Sequence, residues 1–171
     1  PYGSASPLIV DDSLGVAYVA VNYPGYFAHI ERIHLATGER KKISKIDGPM
    51  LYQTAYIALD RKRQRLFWTE RNSALRGLKW KSVGESLLTD DKPLSGKKKY
   101  QRVSNIVYDN SRDCLYGLLS HEGVTNIVRY DASLDKQNVL YTFKFGVSVS
   151  DLDVSPDGNT LSMTISGVRG E

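Results

Sequence analysis

A single cysteine, Cys114, leaves no partner for an internal disulfide, so the chain is not a disulfide-stapled mini-protein. No apolar run approaches the ~18–20 residues that a bilayer-crossing helix needs, so no membrane span of that kind is expected here. No window keeps an i, i+3, i+4, i+7 apolar stripe for three turns, so no substantial helix is expected. There is no HExxH or Cys/His metal spacing, no G-x-S-x-G elbow and no glycine-rich phosphate loop. Gly15, Gly25 and Gly38 each punctuate a separate turn. Charge is modest, with 23 Lys and Arg against 19 Asp and Glu for a net +4. With 41% hydrophobic and 25% charged residues in 171, the balance is that of a folded domain with a real core. Pro1 opens the sequence with no basic and apolar leader behind it, so a segment upstream is expected to be missing.

What is present is a repeat. Four segments align without gaps at residues 8–21, 57–70, 106–119 and 152–165, reading LIVDDSLGVAYVAV, IALDRKRQRLFWTE, IVYDNSRDCLYGLL and LDVSPDGNTLSMTI. Each is an apolar run, a polar turn opened by Asp or Ser, and a second apolar run. The turn-opening residues Asp11, Asp60, Asp109 and Ser155 are spaced 49, 49 and 46 residues apart. Six residues later stand Ala17, Leu66, Leu115 and Leu161, followed by Tyr18, Phe67, Tyr116 and, in the last, Ser162. Third strands are expected at 27–35, 74–80 and 125–131, and fourth strands at 40–46, 85–89 and 138–143, separated by turn residues. Four antiparallel strands in ~45–50 residues is the size of a β-propeller blade. A β-sandwich, the alternative, has no reason to repeat its sequence at a fixed period.

The fold class expected is therefore all-β. Blades of four antiparallel strands are expected at about 5–46, 54–89 and 103–143, with an incomplete one at 149–171. That is about three and a half blades of a six- to eight-bladed ring. A four-stranded sheet with two apolar faces cannot cover them alone, and stacking blades buries face on face. Missing blades or self-association would be needed to cover the open edges, and the terminal blades are expected to expose apolar faces.

The second unit, with Leu66-Phe67-Trp68-Thr69-Glu70, resembles the YWTD blade of six-bladed receptor propellers, Phe67 and Glu70 standing for its Tyr and Asp. The fourth, Ser155-Pro156-Asp157-Gly158 followed by Leu161-Ser162-Met163, resembles the TolB-like, WD40-like (PD40-type) repeat. Pro156 presets φ for a tight turn and Gly158 permits a positive φ. The TolB-like resemblance implies a periplasmic or otherwise exported protein. It implies no chemistry for the turn itself, because such a turn builds a blade.

In a propeller the first strand of each blade lines the axis and the loops entering it open on the ligand face. Four residues before each turn-opening position lie Pro7, Tyr56, Asn105 and Asp151. Tyr56, Asn105 and Asp151 are the candidate binding residues, able to hold a polar ligand or a cation through oxygen; solvated loop residues are the alternative. His29 and Glu31 share a strand face but lack a third metal ligand, so a surface strand pair is expected and no metal. Cys114 reads as a small buried hydrophobe. Asp11 with Asp12 and Asp90 with Asp91 are adjacent, so they point to opposite faces and cannot cooperate. The basic clusters 40–42, 61–65 and 97–99 divide between faces and read as solvated, with no nucleic-acid footprint.

These readings point to a non-catalytic, cofactor-free scaffold presenting a surface to a protein partner or small polar ligand at the propeller mouth. The alternative is a substrate-gating propeller of a larger hydrolase of the serine peptidase type, its catalytic domain outside this chain. A metal-dependent propeller enzyme is a third, weakened by the lack of a recurring second carboxylate.

Overall fold

The computed structural model describes residues 4–22, 27–49, 56–69, 75–79 and 102–167. Regular structure among them is entirely extended, with thirteen strands and no helix. Two compact units are formed, Pro1–Lys92 and Pro93–Glu171.

In the first unit β1 (Ser4–Asp11), β2 (Val16–Asn22), β3 (Phe27–His34) and β4 (Arg40–Pro49) form a four-stranded antiparallel meander in chain order. A second sheet holds β5 (Ile57–Asp60), β6 (Arg65–Thr69) and β7 (Leu75–Lys79). The fourth strand expected at 85–89 lies outside the described residues. In the second unit β8 (Arg102–Asp109), β9 (Cys114–His121), β10 (Val124–Asp131) and β11 (Gln137–Thr142) repeat the four-stranded meander. The fourth sheet pairs β12 (Ser148–Val154) with β13 (Leu161–Ser166).

The turn-opening carboxylates explain why each meander starts as it does. Asp11, Asp60 and Asp109 are 0%, 0% and 2% exposed, although a polar residue at a turn ordinarily faces water. Burial of a carboxylate is tolerated only against hydrogen-bond donors. Asp11 Oδ1 accepts from Ser13 N and Oγ at 3.2 and 2.6 Å. Asp109 Oδ1 accepts from Ser111 N and Oγ at 2.9 and 2.6 Å and from Arg112 N at 3.0 Å. Asp60 uses its own cluster: Arg63 N reaches Oδ1 at 3.0 Å, while Arg63 Nη1 and Arg65 Nη2 reach Oδ2 at 3.0 and 3.3 Å. Arg61 Nη2 donates to Val10 O of the first sheet at 3.0 Å. The basic cluster expected to be solvated thus contributes three arginines to structure. Lys97, Lys98 and Lys99 lie outside the described residues.

Strand alternation gives each sheet two faces. Val16, Tyr18, Ala20 and Ile30 of the first sheet pack against Ile57, Leu59, Leu66 and Trp68 of the second. Cys114, Tyr116, Leu118 and Ile127 of the third pack with Leu152 of the fourth, joined by Val154, Leu161 and Met163. Opposite faces of the first three sheets are also apolar and buried, through Ala17 and Val19, through Ala58 and Phe67, and through Leu115, Val128 and Tyr130. The fourth sheet departs from the pattern. Ser148 pairs with Ser166, Ser150 with Thr164 and Asp153 with Ser162, so its other face is wholly polar. The expectation of an exposed apolar face on this terminal sheet is corrected, because hydroxyls occupy the alternating positions. At the outer strand β11 a register shift falls between its pairings to Ile127 and Val128, and Val139, Leu140 and Tyr141 are exposed.

The third and fourth sheets also interlock through their turns. Pro156 and Gly158 close a turn in which Gly158 N donates to Ser155 O at 2.8 Å, and Arg112 Nη2 donates to Asn159 Oδ1 at 2.8 Å. Gly158 has φ +72°, and a Cβ there would lie 2.3 Å from Ser111 Oγ and 2.6 Å from Asp109 Oδ2. Gly146 has a similar φ of +80° but open space around it. Gly158→Ala should therefore destabilise the protein by about 1–3 kcal/mol through backbone strain plus the collision, and more than Gly146→Ala does. Urea midpoints of the two variants check this, and equal losses would remove the collision from the account.

Candidate functional site

Two of the candidate residues, Asn105 and Asp151, sit where the first strand of their sheet breaks register. β1 shifts against β2 between Ala5 and Leu8, β8 against β9 between Ser104 and Val107, and β12 against β13 between Ser150 and Asp153. Each irregularity spans the position four residues before the turn. A bulge of this kind bends a strand and re-aims a side chain. Asn105 and Asp151 adopt left-handed backbone there, with φ 46° and 55°, which Asn and Asp tolerate better than other side-chain-bearing residues.

Their juxtaposition is direct. Asp151 N donates to Asn105 Oδ1 at 3.0 Å, Asn105 Nδ2 reaches Ser104 Oγ at 3.4 Å, and Ser150 Oγ donates to Asp151 Oδ2 at 2.8 Å. Asp151 is exposed and Asn105 half-buried. Bulge, backbone strain and hydrogen bond together hold an amide midway along β8 and a carboxylate midway along β12. Tyr56 belongs to the other unit. It immediately precedes β5, where its N donates to Thr69 Oγ1 and its carbonyl accepts from Thr69 N, both at 3.0 Å.

An aromatic ring at this end of the third sheet carried almost no signal in the sequence. Phe145 is 79% exposed, and its ring lies over Gly123, where a Cβ would stand 2.4 Å from it. Gly146 N donates to Gly123 O at 3.2 Å, fixing the loop that carries the ring. Glycines on both sides of the contact were the only clue.

His29 and Glu31 do share a face, but the pair is not a surface one. His29 is 8% exposed, lying in β3 between Val21 of β2 and Lys45 of β4. Glu31 Oε1 meets His29 Nε2 at 2.8 Å and Oε2 accepts from Arg40 Nε at 2.7 Å. Both oxygens are thus engaged and a guanidinium stands beside them, which opposes a metal ion. Burial alone would raise the Glu31 pKa, but hydrogen bonds from His29 and Arg40 outweigh it and hold the carboxyl below its ordinary value. Cys114 is buried at the start of β9, and burial pushes its thiol pKa up, so it makes a poor nucleophile.

No protein-family model matches the chain, and no curated protein matches it. Solved structures do. One is a nidogen/laminin complex, at TM-score 0.65 and 19% identity over 90% of this chain and 54% of that one. Another is a luciferin-regenerating enzyme, at 0.66 and 11% over 90% and 51%. A third is an oligogalacturonate lyase in complex with manganese, at 0.58 and 9% over 85% and 42%. The fold is that of β-propeller blades. This chain spans about half the length of the first two structures.

Asn105→Ala should cost about 1–3 kcal/mol, combining left-handed strain with loss of the bond to Asp151. Asn105→Gly should cost less, as read by urea denaturation. For Glu31, the lowered folded pKa means that the unfolded chain binds its proton more readily. Its stabilising contribution is present above the unfolded value of about 4.3 and is lost as pH falls through the folded one. The gap in urea midpoint between wild type and Glu31→Gln should therefore shrink on acidification below that value, and a constant gap would contradict the assignment.

Proposed function

We propose that this chain is a non-catalytic part of a β-propeller, similar to the TolB type, which presents a rigid binding surface at the mouth of the propeller. Blades at about 5–46, 54–89, 103–143 and 149–171 belong to a six- to eight-bladed ring in this reading. Asn105 and Asp151 supply the polar contacts, and Tyr56 holds the corresponding place in its own sheet. The observation that carries the reading is the hydrogen-bonded, bulged Asn105–Asp151 pair. Two strained side chains held by rigid strands lose little entropy on binding, which favours affinity from preorganisation. Phe145 adds an exposed aromatic anchor of the kind enriched at protein interfaces.

A protein partner or a small polar ligand fits this surface, and a periplasmic or otherwise exported location accompanies the TolB-like resemblance. The nidogen/laminin match concerns a propeller in a protein complex, which supports a protein partner. A second reading, a propeller gating the substrates of a hydrolase, draws on the similarity to a post-proline cleaving enzyme from Rickettsia typhi. That match has TM-score 0.54 and 15% identity over 96% of this chain and 25% of that one. A G-x-S-x-G motif elsewhere in the same polypeptide would favour it.

The test is affinity capture from an envelope extract with the wild-type chain and with the double variant Asn105→Gly, Asp151→Gly, glycine being the residue that keeps the left-handed backbone at both positions. A partner enriched by wild type should fall at least about tenfold with the variant, the equivalent of ~1.4 kcal/mol, while circular dichroism shows both proteins folded under the capture conditions. Capture that ignores the substitutions, or hydrolysis of a peptidyl ester by the chain alone, would overturn the reading.

A further inference from the structure

The two faces of the fourth sheet differ in kind. Leu152, Val154, Leu161 and Met163 pack toward the third sheet. The opposite face carries Ser148, Ser150 and Asp153 from β12 and Ser162, Thr164 and Ser166 from β13, joined across the ladder as pairs. Five of these six are exposed and Ser150 is half-buried.

The corresponding face of the earlier sheets is built otherwise. Tyr18 and Tyr116 stand at the position aligned with Ser162 and pack into the next sheet, at 1% and 3% exposure. Phe67 stands there in the second sheet and is 0% exposed. Sheet-on-sheet packing of this kind rests on apolar contact. An apolar sheet laid on the fourth would instead strip water from a row of hydroxyls and a carboxylate without replacing their hydrogen bonds, and that opposes burial.

We infer that the Ser/Thr/Asp face of the fourth sheet is a hydrated seam at which apolar stacking stops. This face adjoins the Asn105–Asp151 pair, because Ser150 Oγ donates to Asp151 Oδ2, but the inference rests on the pairs across the ladder and not on the binding role proposed for Asn105 and Asp151.

Ser162→Cys in the full polypeptide tests this with a maleimide reagent, while buried Cys114 serves as an internal control. The new thiol should react within about tenfold of an unstructured peptide thiol while Cys114 stays unmodified; protection of both thiols to a similar degree overturns the seam. A second variant, Ser162→Tyr, restores the aromatic of the other sheets. No rise in the urea midpoint is expected, because no apolar face waits to receive the ring. A clear rise without self-association would show that one does, and would overturn the inference even if the labelling agreed.

Discussion

Everything in the first three sheets turns on a carboxylate withdrawn from water. Asp11, Asp60 and Asp109 close the link between the first two strands of their sheets, and their burial is tolerated because turn amides, serine hydroxyls or arginines donate to them. The solution is the same in outline and different in detail. Asp60 has an ion-paired second oxygen supplied by Arg63 and Arg65. Asp11 and Asp109 use serine two residues on, and their second oxygens have no hydrogen-bond partner among the described residues. In the fourth sheet Ser155 takes the position, and Asp157 moves the carboxylate outward, where it accepts from Ser155 Oγ at 2.6 Å and Asn159 N at 3.0 Å. An exposed anion needs less compensation than a buried one. Relocating the charge therefore relaxes the demand on this turn while Gly158 keeps contact with Asp109.

From these turns the strands leave in fixed register, and the faces they present are set by alternation. Tyr18 and Val16 meet Leu66 and Trp68 in the first unit; Tyr116 and Leu118 meet Leu152 in the second. The same side of the repeat is used in both interfaces, so the sequence period is also a packing period. A sandwich needs no such equivalence between its contacts, whereas stacked blades do.

Much of this was readable from the residues. Period-two alternation and turn chemistry marked the strand pairs, and the third strands appear at Phe27–His34, Leu75–Lys79 and Val124–Asp131. The four-residue offset singled out Asn105 and Asp151, and residue type even carried a hint of their left-handed backbone. Burial was not readable. An Asp at a turn looks solvated until the donors that fold back on it are seen, and Arg63 and Arg65 reach Asp60 only through the geometry of the turn. His29 and Glu31 could be placed on one face by spacing, but the guanidinium that pairs with Glu31 comes from Arg40 on another strand. Phe145 was invisible because its position depends on a glycine over twenty residues earlier.

The irregular outer edge at β11 bears on colloidal behaviour. A flat rim carrying Val139, Leu140 and Tyr141 would offer a template on which further copies could zip together, chain upon chain. The extra residue inserted between the pairings of Val139 and Tyr141 twists that rim and spoils the even spacing a fibril requires. Sticky side chains can then stand in water at the periphery without seeding ordered polymer.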